Sequence, residues 1–240
     1  MDRRNWGPLT AEAVGTFLFL FVGVGAVVLN DFPSAGNGNH GLVQVALASG
    51  LVLGVLVSAL GPVSGAHLNP AVTLGVWVAG RITAAKAITY VIAQLVGALI
   101  AGLALRAVFS EDAWGPLLIG TPALGPDVSV ATGIAVEAVL TAVLLFAVFG
   151  SAIDPRAPKI GGLTIGLAVA ADTLMGGPLT GAAMNPARWF GPAVASGHLD
   201  NWYVWIVGPL LGAAVAAAIY RGILAEDADL ARTPGSPEPS

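Results

Sequence analysis

The chain has 240 residues, 56% of them hydrophobic and only 10% charged, with a net charge of −4 and a mean hydropathy of +0.82. A soluble domain carries about 25% charged residues, so so few charges exclude an ordinary water-covered surface and point to lipid as the main solvent. The absence of cysteine excludes disulfides, thiolate metal sites and a cysteine nucleophile. The net charge says little, because the acids gather in loops and in the tail, and no nucleic-acid partner is expected.

In chain order, Leu9 to Asn30 opens the apolar pattern. It is too long for a signal-peptide core and lacks a clear cleavage site, so it reads as a retained spanning helix. Five more stretches reach the ~20 residues a span needs: about 42–61, 83–108, 130–151, 161–178 and 201–224. Turn-rich breaks separate them, "NDFPSAGNGNHG" (30–41), "SEDAWGPLLIGTPALGPD" (110–127) and "DPRAPK" (154–159). Residues 225–240 end in "DLARTPGSPEPS", a polar, Pro- and Ser-rich composition that predicts a disordered cytoplasmic tail.

Two further stretches, 69–78 and 185–194, are helical in pattern but too short to cross, and each begins Asn-Pro-Ala. Asn is a preferred N-cap, and Pro suits the first helical position, where its missing N–H costs nothing. Both are expected to be half-helices with sharp N-termini, buried in protein or lining a wet cavity. Arg3, Arg4, Arg81, Lys86, Arg156, Lys159, Arg221 and Arg232 fall at the termini and in the loops after spans two and four. Asp31, Glu111, Asp112, Asp127 and Asp200 occupy the other loops, with Arg106 the exception. The positive-inside rule therefore puts both termini in the cytoplasm.

The pattern repeats. Glu12 in "AEAVGTFLFLF" matches Glu137 in "VEAVLTAVLLF", and each half holds three spans and one half-helix, dividing the chain at 1–118 and 119–224. Three spans per unit require the second unit to be inverted, which places the working site at the bilayer midplane with the broken-helix ends pointing inward. Small residues four apart, Gly50/Gly54, Gly162/Gly166 and Gly208/Gly212, allow close packing. Asn69 and Asn185 can each cap a helix with the side-chain oxygen and offer amide N–H groups to a passing molecule. The segments before them, Gly65, Ala66 and His67 and then Gly181 to Ala183, are expected to be extended and to expose carbonyls along the path. Donors at the centre, acceptor rows on either side and opposed positive dipoles suit water or a polyol and disfavour cations. Nothing here favours covalent chemistry, a cofactor or a metal.

"SGAHLNPAVT" and "TGAAMNPAR", with a glutamate in spans one and four, resemble the major intrinsic protein family of aquaporins and aquaglyceroporins over residues 9–224. That resemblance implies an all-α membrane protein, a right-handed bundle of six transmembrane helices plus two re-entrant half-helices, assembled as a homotetramer in a lipid bilayer. It implies a pore midplane at Asn69, Pro70, Ala71, Asn185, Pro186 and Ala187, and a passive channel for water and small neutral solutes. Arg188 would belong to an outer constriction, completed by Ser49, Thr173 and Ala182 when the family's positions are carried across from the motifs. Strict water channels of the family have Phe and His at the first two of these, and glycerol facilitators use aromatic residues and an Asp after the arginine. This chain has neither pattern, with Trp189 after Arg188 and Ile206 in span six. The stretch "DTLMGGPLTGAAMNPAR" resembles the nodulin-26-like branch and its bacterial relatives, which implies a wide polar filter, passage of glycerol or of boric, silicic or arsenous acid, and a bacterial plasma membrane.

Competing readings are an alternating-access transporter and a structural protein with a closed pore. Glu12 and Glu137 read as acceptors holding the re-entrant loops, against the alternative of proton relays. Asp172 reads as a residue that pins the loop or helix network and does not touch solute, and His67 as a residue whose backbone carbonyl matters more than its ring. Trp202, Tyr203 and Trp205 read as an interfacial belt.

Overall fold

The computed structural model describes residues 3–30, 41–158 and 160–225. The first long loop, Lys159 and the C-terminal tail, with Arg232 and the expected disorder, lie outside the described residues. The elements are α1 (Arg3–Asn30), α2 (Gly41–Ser64), α3 (Pro70–Val78), α4 (Ala84–Val108), the single turn α5 (Glu111–Trp114), α6 (Val130–Val148), α7 (Gly161–Thr180), α8 (Pro186–Ser196) and α9 (Val204–Ile219). Short π-helical turns, Phe149–Ile153 and Tyr220–Leu224, extend α6 and α9. Among the described residues, six helices are long and apolar enough to cross a membrane, and α3 and α8 stand where the two half-helices were expected.

α2 runs a turn beyond the span expected from sequence, through Pro62, and α7 ends two residues past the expected Pro178. A proline near a helix end forfeits only one ladder bond. Gly65 and Gly181 then end the two helices in left-handed conformation, with φ of 94° and 76°, each donating its N–H four residues back, to Gly61 and Gly177.

Equivalent contacts recur in the two halves: α1 packs on α4 as α6 packs on α9, α3 lies against α9 as α8 lies against α4, and α2 and α7 cross each other. Bare backbone makes these contacts close. A Cβ on Gly97 would stand 2.1 Å from the Ala13 carbonyl oxygen, and one on Gly212 would stand 2.0 Å from that of Ala138. Gly50 and Gly166 meet in the same way, each blocked by the other's carbonyl at 2.5 and 2.4 Å. Outward-facing Leu51, Val55, Leu163 and Leu167 are exposed, as lipid-facing side chains require. Gly212→Val is expected to cost at least the 1–3 kcal/mol (roughly) of an overpacked core. Thermal unfolding in detergent should show a clear drop, and an unchanged midpoint would contradict this packing.

Trp202 and Tyr203 are exposed, but Trp205 is buried. It leaves the expected interfacial belt because it stacks on Trp189 at 6.2 Å and donates its indole N–H to the Thr180 carbonyl at 2.9 Å.

Candidate pore

The site grows from the two helix starts. Asn69 is extended (φ −159°, ψ 121°) with Pro70 behind it, and its Oδ1 accepts from the Ala71 N–H at 2.8 Å. Asn185 repeats this (φ −151°, ψ 109°), accepting from Ala187 at 2.9 Å and Arg188 at 3.3 Å. Each asparagine then reaches across the repeat boundary. Asn69 Nδ2 donates to the Met184 carbonyl at 2.9 Å, and Asn185 Nδ2 donates to the Leu68 carbonyl at 3.0 Å. The positive ends of α3 and α8 therefore meet head to head. An amide carries two hydrogens, so the cross-link uses one from each asparagine and leaves one for the lumen.

The approach segments are not extended, as the sequence led us to expect. Ala66, Leu68, Ala182 and Met184 have φ of 47°, 50°, 43° and 52°, in the left-handed region that costs an L-residue about 1–2 kcal/mol. Buried carboxylates hold them there. Glu12 Oε1 accepts from Ser64 Oγ (2.7 Å) and His67 N (3.0 Å), while Oε2 accepts from Leu68 N and Gln94 Nε2, both 2.8 Å. Glu137 Oε1 accepts from Thr180 Oγ1 (2.7 Å) and Ala183 N (2.9 Å), and Oε2 from Met184 N at 2.7 Å. Tyr90 donates its hydroxyl to the Ser64 carbonyl at 2.8 Å, the counterpart of the Trp205 bond to Thr180. Both glutamates are fully buried, and their carboxylates are occupied by the loops.

A cavity of about 380 Å³ runs along these segments, from Gly80, Arg81 and Ile82 at one end, past both asparagines, to Ser49, Thr173, Ala182 and Arg188. Gly65, Ala66, His67, Gly181 and Ala183 all line it, as do Leu68 and Met184, whose carbonyls the sequence reading missed. Pro70, Ala71, Pro186 and Ala187 do not: they are buried behind the helix ends, because a residue after the cap turns its side chain away from the helix axis into the packed core. Arg188 Nη1 donates to the Gly120 carbonyl at 2.9 Å. That anchor comes from a loop with no motif to mark it.

The aliphatic wall was also missed: Val45, Leu53 and Val57 on α2, Ile165 and Val169 on α7, and Leu144 and Val148 on α6. Its signal was available, since 45, 49, 53 and 57 are four apart and continue the row through Ser49, as 165 and 169 do through Thr173. Asp172 is buried, off the cavity wall, and its Oδ2 has no hydrogen-bond partner among the described residues. Its place off the wall agrees with the expectation that it does not touch solute, and Oδ2 makes no bond to the loop or helix network among the described residues.

At the Arg81 end, the loop after α6 is tied to the end of α9. Arg156 forks onto Asp154 (Nε to Oδ1 2.8 Å, Nη2 to Oδ2 2.6 Å) and donates to the Leu224 carbonyl at 2.9 Å. Arg221 bonds the Val78 carbonyl at the close of α3 at 3.2 Å. The Arg156 guanidinium holds the Asp154 carboxyl down at about 2, below its ordinary 3.8. A depressed acid stabilises the fold above its ordinary range and loses that contribution as pH falls towards the depressed value. Unfolding midpoints compared at neutral pH and near pH 3 should therefore fall less in Asp154→Asn than in the native chain. An equal fall in both would dismiss the latch.

The model of the family described as major intrinsic protein matches residues 2–220. Aquaporin TIP4-4 of Zea mays is 46% identical over 218 residues, covering 89% of this chain and 84% of that protein. The lens fiber major intrinsic protein of Gallus gallus is 42% identical over 218 residues, covering 90% and 80%. The X-ray structure of the aquaglyceroporin from Plasmodium falciparum superposes with a TM-score of 0.80 at 25% identity, covering 91% of this chain and 96% of that one. The plant relatives carry TIP names, so the family expectation holds while the finer likeness to the nodulin-26-like branch, and with it the bacterial membrane, gains no support from them.

Proposed function

The chain belongs to the major intrinsic protein family and is a passive membrane channel for water and small uncharged solutes, and from that premise we propose that Ser49, Thr173, Ala182 and Arg188 form a wide, polar selectivity filter. One observation carries the reading: a single cavity passes both asparagine-capped helix ends and has all four residues in its wall. Three of the four side chains are small, which leaves room for solutes larger than water, and the fourth is a cation held to a backbone carbonyl. Glycerol and neutral hydroxylated metalloid acids fit that chemistry, because they bring several hydroxyls and no charge.

Along the file, a solute exchanges hydration for backbone carbonyls on one side and slides over aliphatic side chains on the other. At the centre it meets the free amide hydrogens of Asn69 and Asn185. The opposed helix ends keep the lumen positive there, and Arg188 does so at the filter, which repels cations, hydrated protons included. We read the assembly as a homotetramer in which each chain has its own pore.

Proteoliposome swelling in water, glycerol, urea and arsenous acid tests the filter. Rapid entry of glycerol, linear in its concentration and indifferent to ion gradients, is the expected result. Fast water flux with glycerol and urea excluded would overturn the wide filter, and saturable proton-coupled uptake would overturn the channel.

A further inference from the structure

We propose that the ring of His67, and not only its carbonyl, is a specificity-determining group of the lumen, presenting an unprotonated Nε2 as a fixed hydrogen-bond acceptor because Thr73 and Gln94 lock its tautomer. This rests on the reading of the cavity as the solute path.

The lock follows from counting protons. Thr73 Oγ1 makes three contacts: Asn69 O at 3.0 Å, Gln94 Nε2 at 2.9 Å and His67 Nδ1 at 3.1 Å. A hydroxyl has one proton to give and two lone pairs to accept with. Gln94 Nε2 is a donor in both its contacts, spending one hydrogen on Thr73 and the other on Glu12 Oε2. Turning that amide over would set its oxygen against a carboxylate, and Gln94 Oε1 instead stays buried with no partner among the described residues. All three contacts at Thr73 become hydrogen bonds in one arrangement alone: the hydroxyl donates to Asn69 O, and His67 donates from Nδ1–H. A chain of such bonds reinforces itself in a low-dielectric interior. In the neutral ring Nε2 is then bare.

The other nitrogen is left to the lumen. His67 lines the cavity, and Nε2 has no hydrogen bond to the described residues. Gly65 clears its flank: a Cβ there would lie 3.2 Å from Nε2. Tyr90 fixes the ring by edge contact, with centroids 5.3 Å apart. The second half has no such device, since Ala183 and Trp189 stand after Gly181 where His67 and Thr73 stand after Gly65. The acceptor is therefore one-sided. Water in a file can replace a lost partner with its neighbour, whereas a polyol hydroxyl facing Val57, Val76 or Val148 cannot.

The test has two arms. Solid-state NMR of the [15N]histidine-labelled full chain in bilayers, at mildly alkaline pH, should show the His67 ring with Nδ1 protonated and Nε2 bare. His67 is identified among the three histidines by the signals lost in His67→Leu. Thr73→Val should shift the ring towards the Nε2–H tautomer, and Thr73→Ser should preserve the native spectrum. Protonated Nε2 in the native chain, or a spectrum unmoved by Thr73→Val, overturns the lock. In liposomes, His67→Leu should lower the glycerol-to-water permeability ratio about fivefold, the worth of one neutral hydrogen bond, and an unchanged ratio overturns the specificity role. Absence of all flux in the native chain would count against the channel reading and not against the tautomer, which the spectrum decides alone.

Discussion

Glu137→Leu is expected to remove solute flux together with most of the folded protein. The substitution keeps bulk at a fully buried site but strands the Thr180 hydroxyl and the N–H groups of Ala183 and Met184. Each buried donor left without a partner costs about 1–3 kcal/mol, so the three together lose roughly 3–9 kcal/mol, against a usual folding margin of about 5–15 kcal/mol. The left-handed backbone at Ala182 and Met184 loses its restraint at the same time. Glu12→Leu strands four donors and is expected to be at least as damaging. Glu137→Gln keeps one acceptor oxygen and should fall between. Detergent-solubilised yield, unfolding midpoint and water permeability measure all three variants. Native flux and midpoint in Glu137→Leu would mean that the loop is held by something other than this carboxylate.

Thr173→His, and separately Ser49→Phe, should reduce glycerol permeability tenfold or more while water permeability changes far less. A tenfold loss corresponds to about 1.4 kcal/mol of added barrier, a small demand on a ring added to the cavity wall. Both side chains stand in the wall of the cavity that Arg188 also lines, and Ser49 packs on Gly23, whose missing Cβ would lie 3.0 Å from the serine hydroxyl. Paired swelling measurements on one vesicle preparation give the ratio directly. Parallel losses of water and glycerol would show that these residues do not form the narrowest polar ring.

Helix boundaries were legible to within a few residues where hydropathy alone decides, in α4, α6 and α9. They slipped at α1, which begins six residues before the expected Leu9, and at Pro62, through which α2 continues to Ser64. Composition cannot register that a proline in the last turn is held by its neighbours. The asparagine caps were readable because capping is local chemistry, complete within three residues. Trp205 was misread because aromatic residues near a span end look alike until their packing partner is known.

What the sequence by itself determined is whatever depends on lipid and on short-range bonding: six apolar spans, two short helices with Asn-Pro starts, and a doubled glutamate pattern. Lipid forces every backbone group to be satisfied internally, so those choices are written residue by residue. Tertiary structure alone decided which oxygen takes which proton. Asn69 meets Met184, Glu12 meets Gln94, Arg188 meets Gly120, and Thr73 bridges His67 and Gln94 across separations of up to 115 residues. No local pattern encodes such pairings, because direction and distance between remote groups are set only when whole helices pack through their bare glycine faces.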